Sequence, residues 1–430
     1  MSGILLKGGR VIDPARGLDG VADVLIRDGM IAEVGADLSA HGSEPVDAAG
    51  FVVAPGFVDM HCHLREPGHE YKETIATGTR AAALGGFTAV APMANTEPVN
   101  DNAAVTAFIL DRARREGAAR VLPVGAVTKG LLGRELTQMG ELKAAGCVAL
   151  SDDGHAVSTA RMMRLALQYA SQFGLLVIDH CEEPTLTQGG AMNEGVLSTI
   201  LGLAGIPGAA EEIIVARDIA LAASLGLRVH LTHLSTAGSV ALVREAKARG
   251  VRVTADTCPH YVAATEALIG DYDTNAKVNP PLRGEADRAA VIAGLVDGTL
   301  DCIATDHAPH HADEKNVEFD LAANGISGFE SAFTLCHTAL VASDAMTLPA
   351  LIEKMSLAPA RVLGTRLGTL TPGAAADIVV LDPGASSVID PDTFCSKGKN
   401  SPFRGFAGKG RVVHTLLGGR FVVRDGALAV

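Results

Sequence analysis

Two patterns alternate through the middle of the chain. Short runs of β-branched and apolar residues end in polar ones, and each gives way to a stretch with apolar positions at helical spacing. The strand-like runs are VVAPGFVDM (52–60), FTAVAPM (87–93), RVLPVGA (120–126), CVALSDD (147–153), LLVIDH (175–180), RVHLTHL (228–234), VRVTADT (251–257) and CIATDH (302–307). Helical patterns intervene, among them residues 100–117, 158–174 and 236–250, each ending in a glycine suited to a helix C-terminus. A further helical stretch, SGFESAFTLCHTALV, follows the eighth run. Strands that are apolar along most of their length are covered on both faces, as in a parallel sheet. Eight strand–helix units in series predict an α/β chain closed as a (β/α)8, TIM-like barrel. An open doubly wound sheet is the alternative, but the phosphate-binding glycine fingerprint is missing after the first strand.

The ends of the chain read differently. Residues 1–53 and 366–430 carry short strands punctuated by glycine, so both termini are expected to join in one small β-sandwich beside a catalytic barrel spanning 54–365. The Gly/Ser/Pro-rich piece 384–410 reads as an ordered surface excursion. With 430 residues, 48% hydrophobic and 20% charged, the chain can bury a large core. A formal net charge of -13 argues against a nucleic-acid partner. The apolar runs are too short for a membrane span, and no signal-peptide core precedes Lys7 and Arg10. Seven scattered cysteines suit a reducing compartment, so a cytoplasmic protein is expected.

Chemistry concentrates where the strand runs end. His61 and His63 alternate on the first strand and face one way, with Cys62 facing the other. Two imidazoles at that spacing make half of a zinc site, though alone they are as readily two packed histidines. Asp152 and Asp153 end the fourth run, His180 the fifth, His233 lies in the sixth and Asp306 ends the eighth. Barrel side chains far apart in sequence converge at this C-terminal rim. Four histidines and two aspartates gathered at one rim call for a cation, and mixed imidazole and carboxylate donors suit zinc. Cys181 reads as a small buried thiol and His230 as a core histidine. Cys258 and His260 sit beside the rim, while His69, His155 and His311 read as solvated near its mouth.

The segments HCHLREPG (61–68), PMANTEPVND (92–101), SDDG (151–154), DHCEE (179–183), HLTHLST (230–236), KVNPPLR (277–283) and ATDHAPH (304–310) resemble the motifs of class I dihydroorotases, within the metal-dependent amidohydrolase superfamily. The resemblance covers essentially the whole chain. It implies zinc-dependent, reversible hydrolysis of the cyclic amide of dihydroorotate to carbamoyl aspartate in pyrimidine synthesis. One or two Zn2+ ions are implied, with two expected. His61, His63 and Asp306 would hold one ion, His180 and His233 the second, and Asp153 would bridge them. Spacing leaves Asp152 and Asp153 open; the resemblance selects Asp153 and gives Asp152 a structural hydrogen bond. Many relatives bridge with a carboxylated lysine, but no lysine lies at 147–157. Asp306 would be the general base, then the general acid. Arg65, with Asn95 and His310 as partners, would grip the substrate carboxylate beside His63. Asn279 and the backbone at Asn324-Gly325 would bind the ring amides. Relatives often have an aromatic residue where Asn324 stands, and a proline where Ala94 stands. A homo-oligomer and association with aspartate transcarbamoylase are compatible with the resemblance, which selects neither. The competing readings are a hydantoinase- or allantoinase-like cyclic amidase and an inactive scaffold for that transcarbamoylase. Arg65, NPPLR and the missing lysine oppose the first; the complete ligand set opposes the second.

Overall fold

A computed structural model describes residues 3–40 and 42–429. Strands from the two ends of the chain share one hydrogen-bonded sheet of nine strands. Ile4–Asp13 pairs antiparallel with Leu18–Arg27 and parallel with Glu44–Asp47 and Val52–Pro55. Val52–Pro55 in turn pairs antiparallel with Ile378–Val388 from the C-terminal part, which continues through Ala407–Leu417 to Arg420–Arg424. Ile4, Val11, Val24, Val53, Ile378 and Leu416 enclose one core drawn from both ends.

The run 52–60, read as a single strand, therefore divides. Val52–Pro55 belongs to the terminal sheet, and Phe57–Cys62 opens the parallel set. The division falls at Gly56, where a β-carbon would lie 2.2 Å from the Thr88 hydroxyl, so only glycine lets the two sheets meet there.

Parallel pairing then runs from Phe57–Cys62 to Phe87–Pro92 and on to Arg120–Val121. It resumes at Val124–Gly125 and passes through Ala149–Leu150, Leu176–His180, Val229–Thr232 and Val253–Thr257 to Cys302–Ile303. The third run is thus split around Leu122 and Pro123. Proline has no N–H to give a ladder, and its carbonyl accepts from Val148 instead. A parallel bridge from Cys62 to His307 brings the eighth run beside the first. Side-chain alternation sorts the core: Val58, Met60, Ala89, Ala91, Leu176 and Ile178 fall in one cluster, while Phe57, Cys62, Val90, Val177 and Cys181 fall in another with the helices.

The helices begin where side-chain oxygens can cap them. Asn102, Thr159 and Thr236 accept from the first-turn N–H groups of Ala103–Glu116, Ala160–Ser171 and Ala237–Ala248. Among the described residues, no helix is long and apolar enough to cross a membrane.

The segment 384–410 departs from its expected surface course. Ser396, Asn400, Ser401 and Phe403 are buried. Asn400 Oδ1 accepts from the His310 N–H at 2.8 Å, and its Nδ2 donates to the carbonyls of Ala308 and Gly325. Local composition, rich in turn formers, gives no sign of this long-range clamp on the rim.

Candidate metal centre

The residues singled out at the strand ends meet. His61 Nε2 lies 3.3 Å from Asp153 Oδ1 and 3.5 Å from Asp306 Oδ1. His63 Nε2 lies 3.1 Å from Asp306 Oδ1 and 3.5 Å from Asp153 Oδ2. His180 Nδ1 and His233 Nε2 approach the same Asp153 Oδ1 at 3.5 and 3.4 Å. All six side chains are buried. His233, Asp306 and Arg65 adopt left-handed backbone conformations, with φ of 44°, 46° and 61°. Such costly conformations in non-glycine residues cluster at functional sites.

The outer hydrogen bonds fix which imidazole nitrogens face inward. The Thr232 hydroxyl donates to Asp256, so it accepts from His61 Nδ1–H at 2.8 Å and leaves the His61 Nε2 lone pair free. Asn95 Oδ1 accepts from His63 Nδ1–H at 2.9 Å, which frees Nε2 of that ring. Glu182 accepts from His180 Nε2–H at 3.1 Å, which frees Nδ1. His61 Nε2 and His233 Nδ1 are buried without a hydrogen-bond partner. His180 Nδ1 and His233 Nε2 stand 2.9 Å apart. Two neutral lone pairs at that separation repel unless a cation or a proton lies between them. Imidazoles oriented by outer hydrogen bonds, with inward lone pairs, are the arrangement metal sites use.

Electrostatics say the same. Burial lowers the His61 pKa, but the carboxylates of Asp153, Asp306 and Asp256 override it and raise it to about 9. Burial likewise opposes the rise at His180, where Asp153 and Glu182 carry the ring well above the ordinary imidazole value. Burial pushes Asp153 and Asp306 upward, yet the surrounding imidazoles hold both carboxyls below their usual range. The pocket holds fixed negative charge that calls for a compensating cation. Two overlapping sets, His61 with His63 and Asp306, and His61 with Asp153 and His233, place their donor atoms within 4.8 Å of one another. These donors fit a divalent metal ion.

All the metal-binding and substrate-binding residues named from the sequence, His61 excepted, line one cavity of about 190 Å³. Arg65 donates through Nε to the Pro309 carbonyl at 3.2 Å, and its Nη2 lies 3.2 Å from His310 Nε2. The Asn324 carbonyl, 2.9 Å from the same His310 nitrogen, competes for it. Burial, Arg65 and Lys72 push the His310 pKa down to about 3, so that ring is neutral near pH 7. Asn95 does not reach Arg65; it joins His63 to the Asp153 carbonyl instead. Gly325 has its N–H bonded to the Lys277 carbonyl and its own carbonyl bonded to Asn400, so its amide hydrogen is already committed. A β-carbon there would meet the Ala308 carbonyl at 2.6 Å.

The remaining assignments fall out individually. Asp152 turns away and accepts from the Thr128 N–H and hydroxyl. Cys181 is a buried thiol near the Asp179 carbonyl, and His230 is buried between Thr254 and Asp256. Cys258 and His260 bring their donor atoms within 4.8 Å of Asp306. His155 and His311 are exposed and His69 is half-buried. Sequence reading passed over four supporting residues. Asp59 accepts from the N–H and hydroxyl of Thr305, and burial raises its pKa to about 7. Asp256 holds Thr232 and the His233 N–H, Glu182 holds His180, and Asn400 clamps the rim. Acidic residues inside apolar strands, as Asp59 and Asp256 are, were the available signal.

Comparison with known proteins agrees with this geometry. A family model described as dihydro-orotase-like matches residues 50–239. A dihydroorotase of Pelotomaculum thermopropionicum is 56% identical over 98% of this chain and 99% of its own length. One from Geobacter metallireducens is 53% identical over the same shares of the two chains. Among solved structures, the L-hydantoinase (dihydropyrimidinase) of Arthrobacter aurescens superposes with a TM-score of 0.91 at 24% identity, covering 100% of this chain and 98% of that one. The dihydropyrimidinase of Brevibacillus agri gives 0.88 at 25% identity, covering 99% and 96%. Full-length identity above half, joined to the buried histidine–aspartate cluster, establishes that the chain belongs to the dihydroorotase family.

Proposed function

We propose that this chain catalyses the reversible hydrolysis of the cyclic amide of (S)-dihydroorotate to N-carbamoyl-L-aspartate in pyrimidine biosynthesis. The observation that carries the reading is Arg65. Its guanidinium lines the cavity beside the histidine–aspartate cluster and, among the described residues, is in no ion pair. A half-buried cation without a carboxylate partner suits a substrate that brings one.

The scaffold reading is that the eight parallel runs close into a (β/α)8 barrel, supported by the Cys62–His307 bridge. The barrel would open at Phe57 rather than at residue 54, run to 365, and be flanked by a β-sandwich drawn from the described residues before 56 and after 365. Its rim then collects the site.

His61, His63 and Asp306 would hold one divalent ion and His180 with His233 a second, bridged by Asp153. Zinc is the ion the imidazole–carboxylate donor set suits best, and when bound it supplies a Lewis acid and lowers the pKa of water. Arg65, with neutral His310 behind it, binds the substrate carboxylate and fixes the ring. Asn279 and the Asn324 N–H, which makes no hydrogen bond among the described residues, hold the ring amides. Asp306, kept ionised by its imidazole neighbours, accepts a proton from the attacking water and returns it to the departing amide nitrogen. In the reverse direction the same carboxyl protonates the leaving oxygen and takes the proton of the closing nitrogen. Asn95 keeps the His63 ring oriented.

Purified protein is expected to turn over dihydroorotate and leave hydantoin essentially untouched, with a metal-to-protein ratio between one and two. Turnover of hydantoin in preference to dihydroorotate would overturn the substrate assignment, and a metal-free active protein would overturn the site. A homo-oligomer, or a complex with aspartate transcarbamoylase, is compatible with the family reading and is tested by sizing the protein alone and with that partner.

A further inference from the structure

Glu182, the acceptor for His180, touches two of the proposed site residues at once. Its Oε2 accepts from His180 Nε2–H at 3.1 Å and from Asn279 Nδ2 at 2.5 Å. Its Oε1 accepts from the Thr187 hydroxyl at 2.7 Å, which leaves the carboxylate little freedom to turn. Glu182 itself stands outside the cavity wall that Asn279 and His180 form.

A carboxylate only accepts hydrogen bonds, so whichever end of the Asn279 amide meets it must be the NH2 end. The other end follows by elimination. Asn279 Oδ1 has no intramolecular hydrogen bond among the described residues, and Asn279 lines the cavity. We infer that Glu182 is a positioning residue that locks the Asn279 amide with Oδ1 toward the substrate, so that the site selects a ring presenting an N–H there. The same carboxylate fixes the proton of His180 on Nε2. One side chain thus sets both the acceptor offered to the ring and the inward lone pair of an imidazole. The inference rests on the reading of Asn279 as a substrate contact.

The polarity of this pair can be exchanged without changing total charge. In Asn279→Asp, two carboxylates would face each other where a hydrogen bond now stands. KM for dihydroorotate is expected to rise by about tenfold to a hundredfold, the scale of a charged hydrogen bond lost, with kcat changed much less. Adding Glu182→Gln moves the carboxylate from position 182 to position 279. The new amide at 182 and His180 Nε2–H can then donate to one oxygen of the new carboxylate while its other oxygen faces the ring as acceptor. The double variant is expected to return KM to within about threefold of wild type, at an unchanged metal-to-protein ratio. It is compared with wild type directly, so a poorly folded single variant does not hide the result. A double variant as impaired in KM as Asn279→Asp, or a single variant with wild-type KM, overturns the inference. Asn279→Ala separates the two levels. If it leaves KM unchanged, Asn279 is no substrate contact and the site reading fails there; if it raises KM while the exchange does not rescue, only the orientation by Glu182 fails.

Discussion

Replacing Arg65 by methionine tests the substrate assignment where it is most exposed. Methionine keeps much of the side-chain volume and removes the charge. In the protein as it stands, Arg65 spends Nε on the Pro309 carbonyl and turns Nη2 toward His310, and among the described residues Nη1 makes no hydrogen bond. The substrate carboxylate would therefore meet a guanidinium with donors to spare and no competing anion. Hydrogen bonds to charged groups contribute about 1.5–3 kcal/mol each, so losing two costs about 3–6 kcal/mol, or roughly 10²–10⁴-fold in kcat/KM. The lower half of that range is expected, because Arg65 is only half-buried. The assay compares dihydroorotate with dihydrouracil, the same ring without the carboxylate. Arg65→Met should lose its activity on dihydroorotate while any turnover of dihydrouracil stays within a few-fold of wild type. Arg65→Lys should fall between, since an ammonium cannot span the carboxylate and the Pro309 carbonyl together. Equal losses on both rings would show that Arg65 acts through the structure of the loop, and the carboxylate argument would fail.

Other perturbations follow from the same geometry. Asp306→Asn should retain most of the bound metal, because His61, His63 and Asp153 remain, yet lose roughly a thousandfold or more in kcat for want of a proton acceptor; metal analysis beside steady-state kinetics checks both halves. Chelation should abolish turnover and lower Tm, and added zinc should restore both, because the inward lone pairs and carboxylates repel one another without a cation; a calorimetric scan of stripped and reloaded protein reads this out. Asn400→Ala removes the clamp on Ala308, His310 and Gly325, and is expected to raise KM and to destabilise by about 2–3 kcal/mol, the cost of leaving buried polar groups unpaired. His310 titrates near 3 in the fold and near 6.5 when unfolded, so between those values the unfolded chain binds the extra proton. Its contribution therefore erodes stability as pH falls from 6.5 toward 3, and His310→Gln should flatten that part of the Tm–pH curve relative to wild type.

How much could be read without coordinates depends on the range of the interactions involved. Strand and helix patterns are local: apolar runs such as LLVIDH bury both faces, and Thr159, Asn102 and Thr236 sit where a helix needs an oxygen cap. Parallel order followed from their alternation. The chemistry was legible because histidine and aspartate recur at the ends of those runs, where a parallel sheet of this kind exposes side chains together. The alternation at His61-Cys62-His63 even told which way each side chain turns, and Cys62 does pack with the outer core.

What the pattern could not carry were contacts between segments well separated along the chain. Nothing in VVAPGFVDM marks Gly56 as the crossing between two sheets, because the reason is the Thr88 hydroxyl on another strand. The Gly/Ser/Pro-rich 384–410 looked like surface for lack of any local sign that Asn400 would reach the Ala308 and Gly325 carbonyls. The left-handed turns at Arg65, His233 and Asp306 are imposed on residues that do not favour them, so only the surrounding packing explains them. Residue types along the chain determined that histidine and aspartate donors suited to a cation, and an arginine suited to an anion, were available. Tertiary structure alone decided that Asp256 would act through Thr232 on His61, and Glu182 on Asn279, because those hydrogen bonds exist only once separate segments have been brought to one end of the sheet.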